Sequence, residues 1–210
     1  MIKGHSIIKP KLLIIVFILF FYKANSQRIQ EYNDCAIERF NENDFEGAIL
    51  YFSRVIEINP KDSNAYFDRG MVKKQINDLA GALADFSKAI ANNSQNPDNY
   101  FLRANTKEEL KDYKGAIQDY DSTLILEEKN PDAYFFRGKN KFLVNDLEGA
   151  LADYDRAIVL NSNRPEYYLH RAKLKIIMEQ KKEGCEDFQV YKRLGGQSSE
   201  LEKNCNLNGG

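Results

Sequence analysis

Histidine is nearly missing from this chain: 210 residues contain only His5 and His170. His170 stands beside Arg171, with no cysteine or carboxylate at ligand spacing, so no metal centre is indicated and His170 reads as an ordinary groove or surface residue. Cysteine is scarce too. Cys35, Cys185 and Cys205 are the complete set, and no two form a CxxC redox motif. A glycine-rich phosphate loop is absent: Gly195-Gly196 runs into "QSSELEK" without the lysine such a loop requires. Charge of one sign is not in excess, at 30 basic against 31 acidic residues, and no basic block marks a nucleic-acid surface. The longest apolar run, "LLIIVFILFFY" from Leu12 to Tyr22, falls well short of the roughly 20 residues of a membrane span. No cofactor, metal or nucleic-acid partner is therefore expected.

What remains is 43% apolar and 29% charged, the composition of a folded domain with a sizeable core. The N-terminal segment up to Ser26 differs from the rest. Lys3, Lys9 and Lys11 precede the apolar run, and Ala24 and Ser26 place small residues at −3 and −1 of a cut after Ser26. That is the layout of a secretory signal peptide, predicted over residues 1–26. The alternative is an uncleaved N-terminal anchor. With no cysteine at the cut, a lipoprotein anchor is not expected. Cleavage removes four of the 30 basic residues and none of the 31 acidic ones, leaving 26 against 31 and a net charge of about −5. The mature chain is expected to be exported, periplasmic or secreted, without membrane insertion.

Repetition dominates the rest. "YFDRGMVKKQINDLAGALADFSKAI", from Tyr66, returns from Tyr134 as "YFFRGKNKFLVNDLEGALADYDRAI", identical at 15 of 25 positions. The underlying step is half that interval. Tyr32, Tyr66, Tyr100, Tyr134 and Tyr168 share one register, followed by Ala36, Gly70, Ala104, Gly138 and Ala172. Ala48, Ala82, Ala116, Ala150 and Gly184 come next, then Phe52, Phe86, Tyr120, Tyr154 and Phe188. Small residues permit close approach of two helices, and the aromatics fill the space around them. Asn43-Asp44, Asn77-Asp78, Lys111-Asp112 and Asn145-Asp146 read as turns, each with an aspartate to cap a second helix. Pro97, Pro131 and Pro165 suit the first turn of a new helix.

These motifs resemble the tetratricopeptide repeat family, over Ile29 to about Lys192. The resemblance implies an all-α, right-handed α-α superhelix, a solenoid of five helix pairs near 29–62, 63–96, 97–130, 131–164 and 165–194, with a C-terminal capping helix and tail over 195–210. The chain departs from the family where a second helix-A tyrosine is replaced by Arg39, Lys73, Lys107, Lys141 and Lys175.

Arg69, Arg103, Arg137 and Arg171 stand four residues before those lysines, on the same helix face, so like charges repel unless an anion intervenes. Asp85, Asp119, Asp153 and Asp187 of the second helices supply one. The first unit lacks both partners together, with Cys35 and Tyr51 in their places, which points to pairing within each unit. The row is either a buried polar clip or an external anion site.

The resemblance also implies a concave groove lined by the first helices. Its exposed positions would be Phe67, Met71 and Lys74, then Phe101, Asn105 and Glu108, then Phe135, Lys139 and Phe142, and last Leu169, Lys173 and Ile176. The phenylalanines either face a ligand or pack against neighbouring helices. The basic clamp with which some family members hold a peptide carboxylate has no counterpart, since Asn33, Ile37, Asp68, Asp98 and Leu102 occupy those places.

At the C-terminus, a second helix over about Lys182–Leu194 should break at Gly195-Gly196, and Ser198 can cap a last helix. Cys185 and Cys205 lie ten residues either side of Gly195, so antiparallel helices bring them together. A disulfide is expected there, with Cys35 as a buried free thiol. The function that fits is a noncatalytic scaffold or adaptor of the cell envelope, holding a partner protein or peptide. A periplasmic chaperone-like peptide binder is the nearest alternative, and a thiol-dependent enzyme using Cys185 and Cys205 is the alternative of another class.

Overall fold

Asp44, Asp78, Asp112 and Asp146 mark where helices begin. Each carboxylate accepts the amide of the glycine three residues on: Gly47, Gly81, Gly115 and Gly149, at 2.9–3.0 Å. The residue before each aspartate ends the preceding helix in the left-handed conformation: Asn43, Asn77, Lys111 and Asn145, with φ of 61–64°. Glu179 adopts the same conformation without such a cap, because Gln180 follows it and makes no side-chain cap bond.

The computed structural model describes residues 10–206, and all the regular structure among them is helical. Two compact units divide the chain, 1–92 and 93–210. The first holds α1 (Pro10–Asn41), α2 (Phe45–Ile58), α3 (Ser63–Gln75) and α4 (Leu79–Asn92). The second holds α5 (Pro97–Glu109), α6 (Tyr113–Leu126), α7 (Pro131–Leu143), α8 (Leu147–Leu160), α9 (Pro165–Ile177), α10 (Lys181–Arg193) and α11 (Ser199–Asn206). Within each unit every helix packs on the next. Pro97, Pro131 and Pro165 open α5, α7 and α9, where no amide hydrogen is needed.

Small residues do the work the period suggests. Ala36, Ala48, Ala82, Ala104, Ala116, Ala150 and Ala172 are wholly buried. At Gly138 a Cβ would stand 2.9 Å from the Tyr154 ring, and at Gly70 2.9 Å from that of Phe86, so each ring lies against bare backbone. In the first unit Ala36, Ala48, Phe52 and Val72 form one core cluster. In the second, the Tyr120, Tyr154 and Phe188 positions anchor three successive clusters.

The apolar run Leu12–Tyr22 lies inside α1, which continues unbroken through Ser26 to Asn41. Ile14, Ile15, Ile18, Leu19, Phe20, Phe21 and Tyr22 are each more than half exposed. No described helix is long and apolar enough to cross a membrane. Lys3 and Lys9 of the predicted leader lie outside the described residues.

At the other end, α11 folds against α10 and buries Leu201 in the cluster of Ala172 and Phe188. Ser198 Oγ accepts the Leu201 amide at 3.5 Å. Cys185 and Cys205 are joined by a disulfide, with Cα atoms 5.5 Å apart. Cys35 is free but half-buried, not buried as expected. Replacing Cys205 by serine releases a loop of about 20 residues and is expected to cost the C-terminal cap about 3 kcal/mol. Hydrogen exchange checks this: protection at the Leu201 amide should fall while that of α5–α8 is kept.

Candidate partner-binding site

Arg69, Arg103, Arg137 and Arg171 each grip one aspartate as a fork. Nη2 and Nε reach Asp85 at 2.7 and 2.9 Å, Asp119 at 2.7 and 2.8 Å, Asp153 at 2.6 and 2.9 Å, and Asp187 at 2.5 and 2.8 Å. Lys73, Lys107, Lys141 and Lys175 close on the same carboxylates at 2.7–2.9 Å. Each aspartate, buried at 3–5% exposure, thus separates two cations that would otherwise repel along one helix face. The four guanidinium groups also lie over the rings of Tyr66, Tyr100, Tyr134 and Tyr168, 5.3–5.8 Å from the centroids. In the first repeat Tyr51 replaces the aspartate, and its ring meets that of Tyr32 at 6.1 Å instead.

Pairing within one repeat was the expectation, and the contacts extend further. Nη1 of Arg69, Arg137 and Arg171 reaches back to the preceding second helix, to Ser53 at 2.9 Å, Asp121 at 2.6 Å and Asp155 at 2.7 Å. Each of these arginines therefore ties three helices together. Ser53, Asp121 and Asp155 share one register of the repeat, and that recurring short polar side chain was the sequence signal for them.

The predicted groove positions divide three ways. Phe135 is corrected: it is core, 7% exposed, with its ring 4.8 Å from Tyr167, 5.1 Å from His170 and 5.3 Å from Phe136. Phe101 and Phe67 are half-buried. Phe101 packs edge-on against Tyr120 and Phe136, and Phe67 against Phe86. Asn105 and Glu108 are tied up in polar contacts: Tyr120 Oη donates to Asn105 Oδ1 at 2.6 Å, while Glu108 takes Lys139 Nζ at 3.0 Å and Asn140 Nδ2 at 2.6 Å. Leu169 packs beside Ala172 and Phe188, and Lys74 is half-buried.

Lys139, Phe142, Lys173 and Ile176 do come together, in a cleft of about 340 Å³ between α7, α9 and α11. Tyr154, Leu174 and Leu201 line it with them, and Glu200 stands at its edge, 3.1 Å from Lys173. His170 is in the wall. Burial first, then Lys139 and Lys173, hold its pKa down to about 4, so the ring is neutral at pH 7. Leu143 and Ile177, at 48% and 54% exposure, are further lining residues that the groove pattern missed. They hold equivalent places at the ends of α7 and α9 in successive repeats, a signal that was present in the sequence.

A model of the tetratricopeptide repeat matches residues 36–97, just under two periods of the repeat. Over those residues the chain carries tetratricopeptide repeats. Solved structures of tetratricopeptide-repeat proteins share its fold. MamA from Desulfovibrio magneticus RS-1 is 16% identical, with 84% of this chain aligned to 96% of that one at a TM-score of 0.75. PilF of Pseudomonas aeruginosa is 17% identical, covering 87% and 89%, with a TM-score of 0.72. YrrB, described as a TPR protein with an unusual peptide-binding site, is 17% identical over 88% and 98%, at 0.74. At these identities the likeness is one of fold. No curated protein sequence matches the chain. Tetratricopeptide repeats stack into extended surfaces that serve as protein–protein interaction scaffolds.

Proposed function

We propose that this chain is a noncatalytic scaffold of the cell envelope, exported after cleavage near Ser26, which holds a partner protein or peptide in the cleft between α7, α9 and α11. The observation that carries the reading is the cleft itself. Its floor is apolar, its size suits a few side chains, and Lys139 and Lys173 stand at its edges. A peptide with apolar side chains and a neighbouring carboxylate is the ligand it suits. The peptide-binding site of YrrB, on the same fold, supports that choice. Export is supported by the leader layout and by the apolar side chains of Ile14, Ile15 and Ile18 to Tyr22, which nothing described covers. The Cys185–Cys205 bridge also suits an oxidising compartment.

The test is a crosslinked pull-down from the native envelope, comparing the wild-type protein with Leu143→Glu/Ile177→Glu. Both side chains are half exposed, so stability should change by less than about 1 kcal/mol. Partner recovery should fall by about tenfold or more, as expected for a contact at the centre of an interface. Undiminished recovery by the double variant would remove the cleft from the reading.

A further inference from the structure

Among the described residues, the first unit holds a counterpart of this crevice. Advancing Ile37, Phe40, Phe52, Asp68, Met71 and Val72 by three periods of the repeat gives Lys139, Phe142, Tyr154, His170, Lys173 and Leu174. The first six line a hollow of about 150 Å³ between α1, α2 and α3, just as the second six line the larger cleft. The polarity is reversed. Ile37 and Met71 stand where the later cleft has lysines, and Asp68 stands where the later repeats carry Leu102, Phe136 and His170.

Asp68 is out of keeping with its surroundings. It is half-buried, and no described cation or hydrogen-bond donor pairs with its carboxylate. No other residue lining the hollow from α1, α2 or α3 is charged, and the charged group acting on it is Asp62 at the N-terminus of α3, of its own sign. Burial first, then Asp62, pushes its carboxyl up to about 6. Around it Ile37 and Met71 are 54% and 43% exposed, and Phe40 36%. A carboxylate kept in an apolar hollow without a partner is held at a cost to stability that a cation would relieve.

We propose that the hollow between α1 and α3 is a separate binding site, for a lysine or arginine side chain of a peptide that also carries aliphatic neighbours. The cation meets the Asp68 carboxylate while the aliphatic side chains cover Ile37, Phe40 and Met71. No part of this depends on the cleft of the second unit, and the probes report on the two places separately.

The test uses the full chain and two synthetic peptides, acetyl-Leu-Lys-Leu-amide and its counterpart with an Nε-acetylated lysine, followed by methyl NMR. The charged peptide should shift the Ile37 and Met71 methyl signals, and the acetylated one should bind about tenfold or more weakly, since a charge-assisted contact is lost. Binding should weaken as pH falls from 7.5 to 5, when Asp68 takes up its proton. Asp68→Asn should abolish the shifts. It should also raise the melting temperature at pH 7.5 and not at pH 4: a carboxyl whose pKa is raised by folding opposes the folded state only above its unfolded pKa, and most fully above the raised one. That rise separates loss of the site from loss of the fold. Equal binding of both peptides, no shift at millimolar peptide, or shifts that persist in Asp68→Asn would each overturn the proposal.

Discussion

Asp153→Ala should lower the unfolding free energy by about 3–5 kcal/mol, the range for stripping the partner from a buried charge. The loss should be large because the carboxylate serves two cations, not one. Arg137 and Lys141, with side chains 16% and 19% exposed, would be left one helical turn apart around an empty place. Urea unfolding of the wild-type and variant chains measures this. The compensating change must match the geometry. Arg137→Met with Asp153→Leu still leaves Lys141 without its anion, so recovery requires Lys141→Met as well. The triple variant should regain most of the lost stability, since replacing a buried ion cluster by apolar residues of similar volume is often neutral or stabilising. Asp121 would lose Arg137 in that variant, but at 48% exposure it stays hydrated. If the triple variant is as unstable as the three single losses added together, the network is not coupled.

Phe135→Ala should cost about 3–5 kcal/mol, as deletions of buried aromatic side chains do. A ligand-facing ring would cost little when removed. The distinction rests on its 7% exposure and on Tyr167, whose ring lies 4.8 Å away. Thermal or urea unfolding decides between the two, with no partner required. An unchanged midpoint would return Phe135 to the binding surface. The same substitution at Phe101, which is half-buried beside Phe136, should cost less.

How far the sequence reached is clearest at these two sites. The repeat period, the small residues at fixed steps and the aspartate after each left-handed turn are local features. They act through contacts within a helix or between two adjacent helices, so spacing alone determines them. The same holds for the match of Arg137 to Asp153, which lie on consecutive helices of one repeat. Cys185 and Cys205 belong here too, because two helices folded back at Gly195 bring residues equidistant from the turn together.

Which way the phenylalanines face was not determined in this way. Phe67, Phe101 and Phe135 occupy one register, yet Phe135 is buried, because the next repeat places Tyr167 over it where the repeat before carries Ala133. A contact between first helices depends on how one repeat is set against the next. The third tie of the arginines, to Ser53, Asp121 or Asp155, depends on the same setting. The cleft depends on α11, which lies outside the period and contributes Glu200, Leu201 and Asn204. Periodicity determines what is repeated within a helix pair. The packing between pairs decided which of those side chains are covered and which remain open, because covering a side chain requires a residue that its own repeat does not contain.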